Sequence, residues 1–287
     1  MQITLYKFTG AGNDFVVIDG RKGDVSAFRT VERIGELCRE YKTDGLMILT
    51  DRPLQEIPGT SPRMTVDFVM EFYNPDGTGG MMCGNGGRCI TAFADMLGLK
   101  PAAADGTWHF LAPDGPHVAK ILSKEPGKWT VRLKMIDVEG VTPMMGGYFL
   151  NTGTRHFVKF VDDVDSKDMD LEAKPLRWDS AFQPEGTNVN LVERRPDGLH
   201  IRTYEKGVEG ETLACGTGIT ATAIASTVEI PGTSPRMTEK GTSQTETVRL
   251  QCRRGDWLSV EFKKDGKGFR DVYLTGPAEL VKTIELC

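Results

Sequence analysis

The stretch "CGNGGRC" at residues 83–89 joins a cysteine to a glycine-rich run, and the overlapping segment "GGRCITAFADML" at residues 86–97 has a helical pattern. The same arrangement recurs in "CGTG" at residues 215–218, which leads into a second helical segment, "TGITATAIAST", at residues 217–227. The sequence therefore predicts two helices, each of which begins beside a cysteine.

The chain also resembles itself around these two motifs. "GNDFVVID" at residues 12–19 matches "TRHFVKFVD" at residues 154–162, with Phe15 aligned to Phe157, and each segment precedes one Cys-Gly motif. This match favours two pseudo-equivalent lobes that each contribute one cysteine to a cleft between them. Coincidence between short glycine-containing strings is the alternative.

Most of the remaining segments have strand character. They are rich in β-branched and aromatic residues and are bounded by Gly, Pro or Asp turns. The predicted strands are "QITLYKF", "FVVIDG", "LMILT", "VDFVMEFY", "KWTVRLKMI", "FVKFV", "LHIRTY", "TVRLQC" and "WLSVEF", beside one further helix at residues 30–41. Many strands and few helices favour an α+β or barrel-like architecture over alternating βαβ units.

The composition excludes several classes of protein. The chain has 287 residues, of which 39% are hydrophobic and 26% charged, as expected for a soluble globular protein. Its net charge of −5 gives no basic footprint for nucleic acid or for a membrane surface, so we expect a small-molecule partner. No apolar run approaches the ~18 residues of a membrane span, and "MQITLYKFTG" lacks the features of a signal peptide. We therefore expect a cytoplasmic protein.

The six cysteines are expected to be thiols in a reducing compartment. They are Cys38, Cys83, Cys89, Cys215, Cys252 and Cys287. A separate repeat, "EIPGTSPRMT", occurs identically at residues 56–65 and 229–238, before one Cys-Gly motif and after the other. Its Pro, Gly, Ser and Thr content predicts an exposed loop, and nothing in the sequence assigns it a function.

A helix that begins at a Cys-Gly motif offers unpaired backbone N–H groups that can bind an anion. The positive end of the helix dipole also favours thiolate over thiol. If two such helix ends hold one substrate carboxylate, the two sulfurs lie on opposite faces of its α-carbon. One thiolate can then remove the α-proton while the opposite thiol delivers another, which inverts the centre. Fixed amide dipoles in a closed, dry cleft must supply much of the remaining stabilisation.

Other uses of these residues remain open at this point. A zinc site is disfavoured because Cys83 and Cys89 are too far apart for the usual ligand spacing and only four histidines are present. The chain has no P-loop pattern. A Cys-His hydrolase that uses His156 explains only one cysteine and one glycine loop. Two further alternatives are a thiol redox protein and two cysteines that simply precede helices.

Five ordered motifs give the chain a specific family resemblance. They are "GAGNDFVVID", "FYNPDGTGGMMCGNGGRC", "EGTNVNLVE", "TYEKGVEGETLACGTG" and "GPAELV". In these motifs the chain closely resembles the diaminopimelate epimerases over nearly its whole length. The resemblance implies two lobes, each a small, mostly antiparallel, barrel-like sheet around a central helix. The lobes are expected at residues 1–136 with 276–287, and at residues 137–275.

The resemblance also implies an activity. It is the conversion of LL-diaminopimelate to meso-diaminopimelate for lysine and peptidoglycan-precursor biosynthesis, by a homodimer that needs neither pyridoxal phosphate nor a metal. Cys83 and Cys215 are implied as the two acid/base residues. The implied substrate-binding residues are Asn13, Asn74, Gly84, Asn85, His156, Asn188, Glu205, Lys206, Gly216 and Thr217, with His156 in an orienting role.

The chain departs from the family pattern at several positions. Lys206 stands where the family usually has arginine, so the grip on a distal carboxylate is expected to differ. "GTRH" replaces Gly-Asn-Pro-His, which puts Thr154 in place of a substrate-facing asparagine and makes Arg155 a candidate second cation. The run "GVEGET" carries one extra residue. A proline or hydroxyproline racemase of the same fold is the enzymatic alternative, but Asn85 stands where that group typically has histidine.

Overall fold

The computed structural model describes residues 3–51, 66–79, 82–228 and 244–286. Both copies of "EIPGTSPRMT" lie outside these residues. The chain divides into two compact units, Met1–Leu133 with Gly276–Cys287, and Lys134–Thr275. In this division the first unit ends at Leu133, whereas the sequence analysis predicted a boundary after residue 136.

The first unit is a closed eight-stranded barrel. Its strands are β1 Thr4–Thr9, β2 Asp14–Asp19, β3 Gly45–Thr50, β4 Phe68–Tyr73, β5 Thr107–Ala112, β6 Gly115–Glu125, β7 Lys128–Lys134 and the C-terminal part of β16 Gly268–Glu285. Neighbours in this order pair with one another, and β16 closes the ring by pairing with both β7 and β1. Only the β2–β3 and β4–β5 pairs are parallel.

Helices supply the crossovers that parallel neighbours require. α1 (Val31–Tyr41) connects β2 to β3, and it buries one face because its apolar residues recur three and four positions apart. α2 (Gly84–Met96) connects β4 to β5 and packs against β1, β2, β3 and β6. All of its residues from Gly84 to Ala94 are buried, so α2 occupies the interior of the barrel.

The second unit repeats this order of pairings. Its strands are β8 Thr142–Met144, β9 Gly147–Asn151, β10 Arg155–Phe160, β11 Asn188–Arg195, β12 Gly198–Glu205, β14 Thr245–Gln251, β15 Trp257–Asp265 and the first part of β16, with β13 Gly210–Thr212 beside β12. The β10–β11 and β12–β14 pairs are parallel, as are their counterparts in the first unit. Val138, shortly before β8, bridges to Phe269 in β16.

The crossovers of the second unit are also equivalent to those of the first. Two short helices, α3 (Met169–Glu172) and α4 (Lys174–Arg177), lie between β10 and β11. α5 (Gly216–Ala225) lies between β12 and β14, and all of its residues except Thr217 are buried. The predicted α+β fold with two pseudo-symmetric lobes around central helices is confirmed.

The self-similarity found in the sequence corresponds to equivalent strands. Phe15 lies in β2 and Phe157 in β10, both are buried, and each strand pairs in parallel with the next strand of its unit. The three predicted helices and nine predicted strands are all present. Among the residues that the structure describes, no helix is both long and apolar enough to cross a membrane.

Candidate active site

Cys83 is the N-cap residue of α2. Its backbone is extended, and its Sγ accepts a hydrogen bond from the Gly86 amide at 3.2 Å. Gly10 lies against this turn, where a Cβ atom would come within 2.8 Å of the Asn85 carbonyl oxygen. The absence of a side chain at Gly10 therefore allows the β1–β2 turn to approach the first turn of the helix.

Asn85 and Asn13 meet at the start of α2. Asn85 is 2% exposed, and its Nδ2 donates to Asn13 Oδ1 at 2.6 Å. The fully buried Arg88 donates from Nη2 to Asn85 Oδ1 at 2.8 Å. The structure thus brings together Cys83, Gly84, Asn85 and Asn13, and it adds Arg88, which the sequence reasoning did not include.

Asn74 makes its side-chain hydrogen bond within its own turn. Its Nδ2 donates to Thr78 Oγ1 at 3.1 Å, and its backbone N–H donates to the Thr78 carbonyl oxygen at 2.9 Å. These contacts are those of a turn residue. A substrate-binding role for Asn74 stays a prediction.

Cys215 is the N-cap residue of α5 and is 9% exposed. Its Sγ lies 3.3 Å from Thr217 Oγ1. Burial and the nearby Glu205 carboxylate raise the pKa of the Cys215 thiol, while the Thr217 hydroxyl and the Gly218 amide act in the opposite direction. The sequence predicted that the helix end would favour a thiolate. The Gly218 amide of the first turn acts in that direction, but burial and Glu205 act against it, and the net direction at this cysteine favours the thiol.

His156 lies behind Thr217 and is fully buried. Its Nε2 is 3.0 Å from Thr217 Oγ1 and 2.9 Å from Thr154 Oγ1, and its Nδ1 is 3.1 Å from Asn190 Nδ2. Burial lowers the pKa of His156 to about 3, so the imidazole is neutral over the physiological range.

Asn190 determines which nitrogen of His156 carries the proton. The Asn190 Oδ1 accepts a hydrogen bond from the Thr203 hydroxyl at 2.9 Å, and its Nδ2 also donates to the Phe157 carbonyl oxygen at 3.2 Å. The amide group that faces His156 Nδ1 is therefore a donor, and Nδ1 must accept. In the neutral ring the proton is then on Nε2, which donates toward the threonine hydroxyls.

Gly218 permits this arrangement. A Cβ atom at Gly218 would lie 2.6 Å from Asn190 Oδ1 and 3.2 Å from His156 Cε1. Any side chain there would force α5 away from the strand pair that carries His156 and Asn190. The glycine of this second Cys-Gly motif thus serves helix packing as well as access to the backbone amides.

Asn188 and Lys206 form a second polar group in this unit. Asn188 Oδ1 accepts from the Lys206 amide at 2.8 Å, and its Nδ2 donates to the Arg155 carbonyl oxygen at 3.0 Å. Lys206 Nζ donates to the Glu185 carbonyl oxygen. The Glu205 carboxylate accepts from the Thr212 hydroxyl at 2.5 Å. Glu205, Lys206 and Asn188 are thus held in place by neighbouring protein groups.

Arg155 is engaged within the protein. Its Nη1 lies 2.5 Å from Glu185 Oε2, and its guanidinium stacks over the Phe149 ring at 5.0 Å from the centroid. Its positive charge is therefore neutralised in this structure, which weakens the expectation that it supplies a second cation. Thr154, which also departs from the family pattern, forms a hydrogen bond with the His156 ring.

Two of the residues that the sequence reasoning missed carry a signal that was available. Asn190 stands two positions after Asn188 on β11, so both side chains project from the same face of the strand. Arg88 lies one helical turn from Gly84 within the quoted motif, and both are on α2.

Cys89 lies on α2 as predicted and is fully buried, and burial raises the pKa of its thiol far above the ordinary value. Across the described ranges, no three His, Cys, Asp or Glu side chains are grouped as metal ligands would be.

Solved structures share the fold at low sequence identity. A phenazine biosynthesis protein of the PhzF family from Bacillus anthracis superimposes with a TM-score of 0.69 at 12% identity, covering 100% of this chain and 99% of that chain. A probable proline racemase from Agrobacterium radiobacter superimposes with a TM-score of 0.61 at 15% identity, covering 99% of this chain and 93% of that chain.

Sequence relatives are much closer. Residues 148–281 match the family model described as diaminopimelate epimerase. The diaminopimelate epimerase of Flavobacterium psychrophilum is 37% identical over 281 residues, covering 96% of this chain and 97% of that protein. That of Chlorobaculum tepidum is 35% identical over 282 residues, covering 95% and 97%. The chain therefore belongs to the diaminopimelate epimerase family of isomerases.

Proposed function

We propose that this protein converts LL-2,6-diaminopimelate to meso-diaminopimelate, a step of lysine and peptidoglycan-precursor biosynthesis. Family membership supports the substrate and the reaction. The single observation that carries the mechanism is that each unit presents a cysteine as the N-cap residue of a buried helix, Cys83 on α2 and Cys215 on α5. Two thiols at equivalent positions suit a reaction that needs one proton acceptor and one proton donor.

In the proposed reaction, one cysteine acts as a thiolate and takes the α-proton, so that an S–H bond forms as the C–H bond breaks. The other cysteine is a thiol, and its proton forms a new C–H bond on the opposite face of the α-carbon. No electrons are transferred overall, and the two sulfurs exchange protonation states. Positioned proton transfer contributes ~10²–10⁴-fold to such a rate.

The backbone amides that follow each cysteine bind the carboxylate of the reacting centre in this proposal. They belong to Gly84, Asn85, Gly216 and Thr217 and lie in the first turns of α2 and α5. First-turn N–H groups have no partner within the helix and carry the positive end of its dipole. They also stabilise the negative charge that spreads onto the carboxylate oxygens as the proton leaves.

The environment of Cys215 favours its thiol form. We infer that the enzyme alternates between two protonation states. In one state Cys215 is a thiol and donates the proton. In the other state Cys215 is a thiolate, which Thr217 and His156 stabilise. The distal end of the diamino acid is assigned to Asn13, Asn74, Asn188, Glu205 and Lys206. Asparagine suits this role because its amide offers a donor and an acceptor to a carboxylate and ammonium pair.

Hydrogen exchange tests the proposal. The protein is incubated with LL-diaminopimelate in D₂O, and deuterium at the α-carbon is followed by mass spectrometry or proton NMR. We expect exchange with inversion, and much slower or no exchange with L-proline or trans-4-hydroxy-L-proline. Folded, reduced protein that catalyses no exchange at diaminopimelate would refute the function. Exchange that favours proline would establish the alternative racemase.

Cysteine variants test the two-thiol assignment. Cys83→Ala and Cys215→Ala should each abolish inversion, because either change removes one of the two proton carriers. Cys252→Ala is the matched control, since Cys252 is also a buried cysteine of the second unit that forms no disulfide. Full epimerase activity in either site variant contradicts the assignment.

A further inference from the structure

Arg88 on α2 is a charged side chain that is fully buried in the first unit. Its guanidinium donates to the carbonyl oxygens of Gly84 at 3.1 Å, Gly10 at 3.2 Å and Pro277 at 3.3 Å. These three contacts join the start of α2 to the β1–β2 turn and to β16. A further contact, at 2.8 Å, is to the side chain of Asn85, which belongs to the candidate site.

The chemistry of the contact with Asn85 fixes the orientation of the Asn85 amide. A guanidinium has only N–H donors, so the Asn85 atom that it contacts must be the carbonyl oxygen. The Asn85 amino group then faces Asn13 at 2.6 Å, and the Asn13 atom at that position must be the acceptor, Oδ1. Arg88 therefore sets the orientation of the Asn13 amide through one intervening side chain.

Because Asn13 Oδ1 is bonded to Asn85, the amino group is the part of the Asn13 side chain that is left to contact a substrate. Asn13 is partly exposed, and within the parts of the chain that the structure describes its Nδ2 donates no hydrogen bond. An amino group offers two N–H donors and no acceptor, so it complements a carboxylate and not an ammonium.

We propose that Arg88 is a positioning residue of the reaction: it fixes the Asn85 and Asn13 amides so that Asn13 presents N–H donors to a substrate carboxylate. This inference rests on the proposed function and specifies which charged group of the diamino acid Asn13 recognises. If both amides turned over together, their mutual hydrogen bond would survive. Asn13 would then present its carbonyl oxygen, which repels a carboxylate. Among the described residues, only the contact with Arg88 distinguishes the two arrangements.

Asn13→Asp tests the direction of the Asn13 amide. The change is nearly isosteric and keeps an oxygen to accept from Asn85, but it replaces the two donors with a charged acceptor. We expect KM for LL-diaminopimelate to rise at least tenfold, with a smaller change in kcat. Gln244→Glu, at an exposed position of the second unit, is the control for an added negative charge and should leave KM unchanged.

A lower KM in Asn13→Asp would show that Asn13 faces the ammonium group, and an unchanged KM would show that its donors do not bind a carboxylate. Either result would overturn the proposal. Failure of the proposed function is a separate result, because wild-type protein would then catalyse no exchange at diaminopimelate.

Arg88→Lys, made in the wild-type and Asn13→Asp backgrounds, tests whether Arg88 acts through Asn13. In the wild-type background we expect KM to rise severalfold, because lysine cannot reproduce the fixed fork of donors. In the Asn13→Asp background we expect no further rise, since the two oxygens of a carboxylate are equivalent and have no orientation to fix. A rise of the same factor in both backgrounds indicates a structural role only and overturns the positioning role. If Arg88→Lys does not fold, Asn85→Asp in the wild-type background replaces it. Aspartate keeps the acceptor for Arg88 but can only accept from Asn13, so the Asn13 amino group turns toward residue 85 and its carbonyl oxygen turns toward the substrate. KM should then rise at least tenfold, and an unchanged KM overturns the proposal.

Discussion

Thr217→Val is the most informative perturbation of the second unit. The change preserves the shape of the side chain and the backbone amide, but it removes the hydroxyl that lies 3.0 Å from His156 Nε2 and 3.3 Å from Cys215 Sγ. Because His156 Nε2 carries the ring proton and donates, the Thr217 hydroxyl can direct its own hydrogen to the sulfur. The hydroxyl therefore stabilises the thiolate form of Cys215 relative to the thiol.

The expected magnitude follows from the charge on the acceptor. A hydrogen bond to a charged group contributes about 1.5–3 kcal/mol. One pKa unit corresponds to about 1.4 kcal/mol. We therefore expect the pKa of the Cys215 thiol to rise by about 1–2 units in Thr217→Val. Below that pKa the thiolate population, and with it kcat/KM, should fall about 10–100-fold. The effect on KM should be small, since the Thr217 amide remains.

Two measurements check this expectation. The pH profile of kcat/KM should move to higher pH, and so should the pH dependence of Cys215 alkylation by iodoacetamide, followed by mass spectrometry of the Cys215 peptide. Alkylation of Cys83 in the same samples is the internal control and should keep its pH dependence. A Thr217→Val protein with an unchanged alkylation profile at Cys215 would refute the proposal that the Thr217 hydroxyl, held by His156, donates to the sulfur.

Three further predictions concern the core of the second unit. Thr222→Val should raise stability by about 1 kcal/mol, measured by urea unfolding, because the described residues offer the buried Thr222 hydroxyl no hydrogen-bond partner; a loss of stability would show that the hydroxyl is satisfied. The pKa of His156 is lowered by burial to about 3, so the unfolded state binds a proton that the folded state does not, and His156 makes folding less favourable as the pH falls from about 6.5 towards 3. Comparison of thermal midpoints at pH 7 and pH 5 should therefore show a smaller acid loss in His156→Gln than in wild type, and equal losses would contradict the buried neutral ring. Gly218→Ala should lower both stability and activity, because its Cβ would lie 2.6 Å from Asn190 Oδ1, whereas Gly140→Ala should be tolerated because its Cβ would have only one neighbour, at 3.4 Å; equal effects of the two changes in circular dichroism and exchange assays would refute the packing role.

Local pattern predicted nine of the sixteen strands and three of the five α-helices that the structure describes. β-branched strands, glycine turns and the segments after the two Cys-Gly motifs determined where nine strands and three helices lie, because these signals depend on neighbouring residues. Seven strands were not predicted. Two of them are β11, which polar residues interrupt, and β16, which a glycine and a proline interrupt. The match of Phe15 with Phe157 predicted equivalent strands because both positions fill the same place in a repeated order of pairings.

The sequence by itself determined the two halves, the two cysteines at helix starts and the family to which the chain belongs. Only the tertiary structure decided the state and direction of the polar groups. The pKa of the Cys215 thiol depends on burial and on Glu205, and the proton position on His156 depends on Asn190. The orientation of Asn13 depends on Arg88, which is 75 positions along the chain (88 − 13) and two hydrogen bonds away. Desolvation and hydrogen-bond direction arise from groups that are distant in sequence, and no local pattern records them.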